Sequence, residues 1–148
     1  MVDANIVELL LIEDNAADAE MTLRALKKIN VLNNIMVATD GEEALDFIYC
    51  RGKFADRNFS SQPKLIFLDL KLPKVDGLEI LKIIKNDPEK KTIPVVVLTS
   101  SKEEKDIIES YKLGVNSYIV KPVDADNFMD AVHKVGLYWL LLNEPHKG

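Results

Sequence analysis

Five short apolar runs alternate with five segments whose apolar residues recur at helical spacing, and this alternation constrains the chain more than any other feature. Residues 6–12 form a dense apolar run with a single acid, as expected of a strand covered on both faces. Ala16, Ala19, Leu23 and Leu26 then predict a helix through Lys28. Residues 35–38 are a second strand, and Asp40-Gly41 starts a second helix marked by Ala44, Leu45 and Ile48. Residues 51–63 have mixed polarity and read as a loop. Residues 65–68 are a third strand that ends at Asp69. Pro73 and Asp76-Gly77 punctuate the loop after it. Leu78, Leu81 and Ile84 line a third helix, closed by Asp87-Pro88. Residues 94–98 are a fourth strand ending at Thr99, residues 102–113 a fourth helix with Gly114 at its C′ position, and residues 117–120 a fifth strand. Lys121-Pro122 leads into a last helix over residues 124–142. Such βα alternation implies a parallel sheet with helices on both faces and right-handed crossovers.

A chain of 148 residues fits one domain, with its core over about residues 6–142. The net charge of -5 and the absence of a Lys/Arg-dense helix face argue against a nucleic-acid partner. The longest apolar run, residues 135–142, is far short of the roughly 20 residues a membrane span needs. No basic-then-apolar leader begins the chain, and the lone Cys50 cannot form an intrachain disulfide; a cytoplasmic protein is the expectation. Cys50 itself reads as a small buried hydrophobe at a helix end.

Polar residues gather where strands end. Glu13-Asp14 follow strand one, Asp69 ends strand three, Thr99-Ser100 end strand four, and Lys121 follows strand five. In a doubly wound α/β sheet these ends share the edge at which ligands bind. The flavodoxin-like order 2-1-3-4-5 sets strands one and three side by side. Glu13, Asp14 and Asp69 then crowd together, with Thr99 and Lys121 to one side. Clustered carboxylates raise one another's pKa, and a hard divalent cation removes the conflict. Mg²⁺, which binds through one or two carboxylates plus a phosphate, suits the set. Asp69 could attack a phosphoryl group as a carboxylate nucleophile. Lys121 could pair with one phosphoryl oxygen, and the Thr99 hydroxyl could donate to another. Any one of these residues alone is better explained as a solvated loop group; the coincidence at four strand ends is not.

With these residues in place the chain resembles the response-regulator receiver family over about residues 7–142. The acidic pair is Glu13-Asp14, the phosphoacceptor falls on Asp69 within LIFLDLKLPKVDG, the switch threonine on Thr99, and the lysine on Lys121 before Pro122. The rotamer-changing aromatic falls on Tyr118. The resemblance implies Mg²⁺-dependent phosphorylation by a sensor histidine kinase. Asp14 and Asp69 would be side-chain metal ligands, Glu13 would act through a metal-bound water, and the backbone carbonyl of Lys71 would be the third protein ligand. It also implies that Thr99 moves inward and Tyr118 toward the core on phosphorylation, remodelling the helix four–strand five–helix five face. A cis Lys121-Pro122 bond is implied too. Lys71 and Ser101 occupy positions that tune dephosphorylation in the family. The loop after helix two, the NDP–IPVVVLTSS segment and the YWL–NEP tail are similar to single-domain regulators paired with phytochrome-type kinases.

Three other readings compete. A phosphohydrolase of the haloacid-dehalogenase type wants a second acid two residues after the nucleophile, where this chain has Lys71. A flavin module wants small, neutral residues after strand one, where this chain has Glu13-Asp14-Asn15. A receiver that no longer takes phosphate would not need Asp14, Asp69, Thr99 and Lys121 together. The expectation is therefore a phosphoacceptor switch with at most self-catalysed phosphotransfer and autodephosphorylation, not an enzyme, and with no effector domain. On the last helix, Phe128, Val132, Val135, Trp139 and Leu142 make one core-facing stripe, while Leu137, Tyr138, Leu140 and Leu141 are left over. That surplus points to a partner interface, most simply a homodimer, the alternative being a helix end tucked against its own domain. His133 should be exposed, and neither it nor His146 has a reading as a ligand or phosphohistidine. The charges at 88–91 and 102–105 read as solvated faces.

Overall fold

The computed structural model describes residues 8–28, 34–57, 62–100 and 109–135. Five strands form one parallel sheet: β1 (Leu9–Ile12), β2 (Ile35–Ala38), β3 (Leu65–Asp69), β4 (Val95–Thr99) and β5 (Ser117–Val120), in the order β2-β1-β3-β4-β5. This is the expected flavodoxin-like order. The helices are α1 (Ala16–Lys28), α2 (Gly41–Ile48), α3 (Gly77–Lys85) and a C-terminal helix (Ala125–Val135). Of the fourth predicted helix, residues 101–108 lie outside the described residues, and 109–112 are helical.

Alternation along the strands divides the core in two. Leu10, Ile12, Ile66, Leu68, Val95 and Val97 face α2 and α3, where Phe47, Ile80, Leu81 and Ile84 cover them. Leu9, Leu11, Leu65, Phe67, Val96 and Leu98 face α1 and the C-terminal helix, against Leu26, Phe128 and Val132. The rings of Phe67 and Phe128 lie 5.2 Å apart. The first part of the predicted apolar stripe is thus buried, and His133 is exposed as expected. The side chain of Val135, together with Trp139, Leu142, the surplus leucines, Tyr138 and His146, lies outside the described residues.

The helix ends follow from local chemistry. Asn15 starts α1 by accepting the Asp18 N–H at 2.9 Å, and Asp124 starts the C-terminal helix by accepting the Asn127 N–H at 2.8 Å. At α2, Asp40 accepts the Glu43 N–H at 2.8 Å, and the Glu43 side chain reaches back to the Thr39 N–H, also at 2.8 Å. The backbone N–H of Glu43 holds the Asp40 carboxyl below its usual range. Burial works against Glu43, but Lys53 and Thr39 outweigh it and hold its pKa down as well. Both carboxyls therefore have folded pKa values below their unfolded ones. Their contribution is present above the unfolded values and is lost as pH falls through the folded ones. Asp40→Ala is expected to cost about 1 kcal/mol at pH 7. The difference from wild type should shrink in urea titrations repeated below pH 4, roughly the unfolded carboxylate value.

Three expectations need correction. Cys50 is half-buried rather than buried, with φ 54°. It sits at the C′ position of α2: its N–H donates to Phe47 O at 3.4 Å, and the Arg51 N–H donates to Asp46 O at 2.8 Å. That is the Schellman pattern, here made without glycine. Gly114, at φ 100°, makes the same pattern after residues 109–112, with Gly114 N–H to Tyr111 O and Val115 N–H to Ser110 O, both 3.1 Å. The segment after α2 is not all loop. A short 3₁₀ turn (Gly52–Phe54) lays Phe54 edge-on against Phe47, and Arg57 is buried over that same Phe47 ring at 4.0 Å. Finally, Lys90 is not on a solvated face. It is only 2% exposed, with its ammonium 5.5 Å from the Tyr49 ring, whose hydroxyl donates to Asp87 at 2.7 Å. The apolar stem and ring cover the charge, so the run 88–91 is not uniformly solvated. Lys102 and Lys105 lie outside the described residues.

Candidate functional site

Register brings the strand-end residues together. Ile12 pairs with Leu68 and Asp69 with Leu98, so Glu13 emerges beside Asp69. Thr99 pairs with Val120, and the Lys121 N–H continues the ladder to Thr99 O at 2.8 Å. The Lys121-Pro122 bond is cis, as the resemblance implied. Glycine clears the space behind the site. A Cβ on Gly77 would stand 2.5 Å from both Asp69 O and Leu70 Cα, so the start of α3 can press against the loop only without a side chain.

Glu13, Asp14 and Asp69 each offer a carboxylate oxygen within 4.8 Å of the others. Glu13 and Asp69 are buried and Asp14 is exposed, so the trio reaches from the interior to solvent. The Lys121 ammonium binds into this group: 2.8 Å from Glu13 Oε1, 3.0 Å from Asp69 Oδ2 and 3.0 Å from Asp18 Oδ2. The other oxygen of Asp69 accepts the Lys71 N–H at 3.0 Å. Glu13 Oε2 accepts the Asn15 N–H at 3.3 Å, whereas Oε1 receives no aligned hydrogen bond despite its ion pair with Lys121.

Burial, reinforced by contact with the Asp69 carboxyl and only partly offset by Lys121, pushes the Glu13 carboxyl up to about 7. For Lys121, burial would lower the pKa, but the close Glu13 carboxylate and the hydrogen bonds to Asp18 and Asp69 outweigh it and hold the ammonium well above the usual lysine range. The site is a buried excess of negative charge that one lysine only partly neutralises. A divalent cation fits it, because the donors are all hard oxygens and a buried carboxylate oxygen lacks an aligned donor.

The other predicted residues fall as follows. Thr99 is buried at the end of β4, next to the cluster. Tyr118 is half-buried on β5, its ring 6.0 Å from that of Tyr111 in an edge-on arrangement. Lys71 follows Asp69 by two residues, and its N–H touches the Asp69 carboxylate. Ser101 lies outside the described residues. Asp18 joins the candidate site through its contact with Lys121, and sequence reasoning missed it. An acid in the first turn of a helix is ordinary for dipole reasons, and nothing in its spacing from Lys121 marks the contact.

The family profile "Response regulator receiver domain" matches residues 9–133. The chain belongs to the receiver-domain family of two-component response regulators.

Among its relatives is the response regulator Rcp1 of Synechocystis sp., 39% identical over 132 residues that cover 89% of this chain and 88% of Rcp1. The solved structure of the bacteriophytochrome response regulator AtBRR is similar at 48% identity and TM-score 0.82, over 94% of this chain and 99% of that one. The Mn²⁺-bound form of Rcp1 is similar at 35% identity and TM-score 0.74, over 95% and 98%. Among the described residues, no helix is long and apolar enough to cross a membrane.

Proposed function

We propose that this protein is a phosphoacceptor switch, labelled on Asp69 with the help of Mg²⁺ by a sensor histidine kinase of the phytochrome-linked type. The observation that carries the reading is the Lys121 ammonium bound among the carboxylates of the sheet edge, with Asp69 at their centre. The kinase assignment is supported by similarity to AtBRR, a bacteriophytochrome response regulator, and to the cyanobacterial phytochrome response regulator RcpA. A cation site is supported by the Mn²⁺-bound form of Rcp1.

The residues have separable tasks. One Asp69 oxygen attacks phosphorus as the N–P bond of a phosphohistidine breaks; an O–P bond forms, and the imidazole leaves with the electron pair. Lys121 pairs with one phosphoryl oxygen, and the Thr99 hydroxyl donates to another. Asp14, Asp69 and the Lys71 carbonyl would hold Mg²⁺, with Glu13 acting through a bound water. The chemistry supplied by bound Mg²⁺ is neutralisation of charge on the transferring phosphoryl oxygens.

The output is a change of shape. Phosphorylation draws Thr99 inward, Tyr118 follows, and the face made by residues 102–113, β5 and the last helix shifts between two arrangements. That face pairs two copies of the chain. The whole chain, residues 1–148, acts as one cytoplasmic receiver domain that turns over no external substrate and passes its signal through protein contact.

The test is incubation with acetyl phosphate and Mg²⁺ followed by intact mass. A gain of one phosphoryl group is expected. An unchanged mass, or sustained hydrolysis of generic phosphate esters, would count against the switch.

A further inference from the structure

We infer that Asp18 is a holding carboxylate for Lys121, the group that keeps the ammonium paired when a divalent cation enters among Glu13, Asp14 and Asp69. The inference rests on the cation-site reading above and adds a residue to it.

In the structure Lys121 pairs with Glu13 and Asp69, two of the three carboxylates that would form the cation site. It lies 2.8 Å from Glu13 Oε1 and 3.0 Å from Asp69 Oδ2, and the second Asp69 oxygen is already bonded to the Lys71 N–H. A cation arriving among Glu13, Asp14 and Asp69 repels the ammonium and competes for its partners. The lysine side chain is only 9% exposed, so it cannot simply turn to bulk water, and a buried ammonium left unpaired is costly.

Asp18 answers this. Its Oδ2 bonds the same ammonium at 3.0 Å, yet it stands outside the trio whose oxygens converge on the cation position. Its side chain is 32% exposed, more than those of Glu13 and Asp69, so water can share its charge. The lysine can thus shift weight from Glu13 and Asp69 to Asp18 without breaking all its bonds. Without Asp18 the ammonium would stay on Glu13 and Asp69, its charge would oppose the cation, and cation affinity would fall.

The competing explanation is a helix-terminus acid with no tie to the site. The backbone parts of that role do not need the carboxylate: the Asp18 N–H is capped by Asn15, and the Asp18 carbonyl accepts the Thr22 hydroxyl at 2.9 Å. Asp18→Asn therefore preserves the helix start while removing the charge.

Calorimetric titration with Mg²⁺ of four proteins decides the matter: wild type, Asp18→Asn, Lys121→Met and the double variant. Asp18→Asn is expected to bind about tenfold more weakly than wild type, the scale seen when groups that orient metal ligands are removed. Lys121→Met should bind more tightly than wild type, and adding Asp18→Asn to it should change affinity by no more than about twofold. As a second measurement, the Lys121 ammonium signal in ¹H–¹⁵N spectra at saturating Mg²⁺ should stay protected from solvent exchange in wild type and be lost in Asp18→Asn. Affinity unchanged by Asp18→Asn would overturn the inference. So would an equal loss with and without Lys121, or equal protection of the ammonium in both proteins. Wild-type protein that takes up no Mg²⁺ would overturn the cation-site reading itself, an outcome distinct from these.

Discussion

Lys121→Met is expected to destabilise the cation-free protein by about 3–5 kcal/mol, the range found when one partner of a buried ion pair is removed. The side chain of Glu13 is fully buried, that of Asp69 is 8% exposed, and Lys121 is the cation that bonds both. Methionine fills similar volume but leaves the two carboxyls facing each other in a poorly hydrated site. Because the deficit is one of positive charge, added Mg²⁺ should recover most of the loss by binding the native state. Urea unfolding with and without Mg²⁺ reads both effects. A variant as stable as wild type without cation would mean that the carboxyls do not depend on the lysine. A variant that Mg²⁺ fails to rescue would mean that the deficit is packing rather than charge. Phosphoryl uptake should also fall sharply, since Lys121 is the group assigned to a phosphoryl oxygen.

Gly77→Ala is expected to lose about 2–3 kcal/mol, toward the upper end of typical overpacking costs. The added Cβ would stand 2.5 Å from Asp69 O, 2.5 Å from Leu70 Cα and 2.7 Å from Leu70 O. These are backbone atoms that no rotamer change can move aside. The Gly77 N–H also donates to Leu70 O at 3.0 Å, so helix and loop are tied at the point of clash. Relief requires either α3 or the Asp69–Leu70 backbone to shift, and the second choice tilts the Asp69 carboxylate. The variant should therefore show both a lower urea midpoint and slower labelling by acetyl phosphate. Full stability with normal labelling would show that the close approach is not a constraint.

Much of this was legible in the sequence because the cues are local. Strand limits at Ile35–Ala38 and Ser117–Val120 follow from short apolar runs bounded by polar residues, and the structure keeps those limits. The convergence of Glu13, Asp14, Asp69 and Lys121 follows from strand order alone, because every strand of a parallel sheet delivers its last residue to one edge. What was not legible depends on side-chain direction across the fold. Glu13 and Asp14 are adjacent and chemically alike, yet one is buried and the other exposed, because the chain leaves the sheet between them. Asp18 contacts Lys121 across 103 positions of sequence, and no periodicity records such a pairing. Lys90 shows the same limit in reverse: a charged run reads as solvated until an aromatic ring such as Tyr49 is found above it. Cys50 at a left-handed C′ position was hidden because glycine is the residue that usually marks that conformation.

The central claim is that the carboxylates of the sheet edge share a divalent cation and that Asp69 is then covalently labelled. The most direct measurement is intact mass after acetyl phosphate treatment, for wild type and Asp69→Asn, with Mg²⁺ and with a chelator in its place. One added phosphoryl group is expected in wild type with Mg²⁺, and none in the chelated sample or in Asp69→Asn under either condition. Uptake that persists in Asp69→Asn, or that is indifferent to the chelator, would contradict the claim.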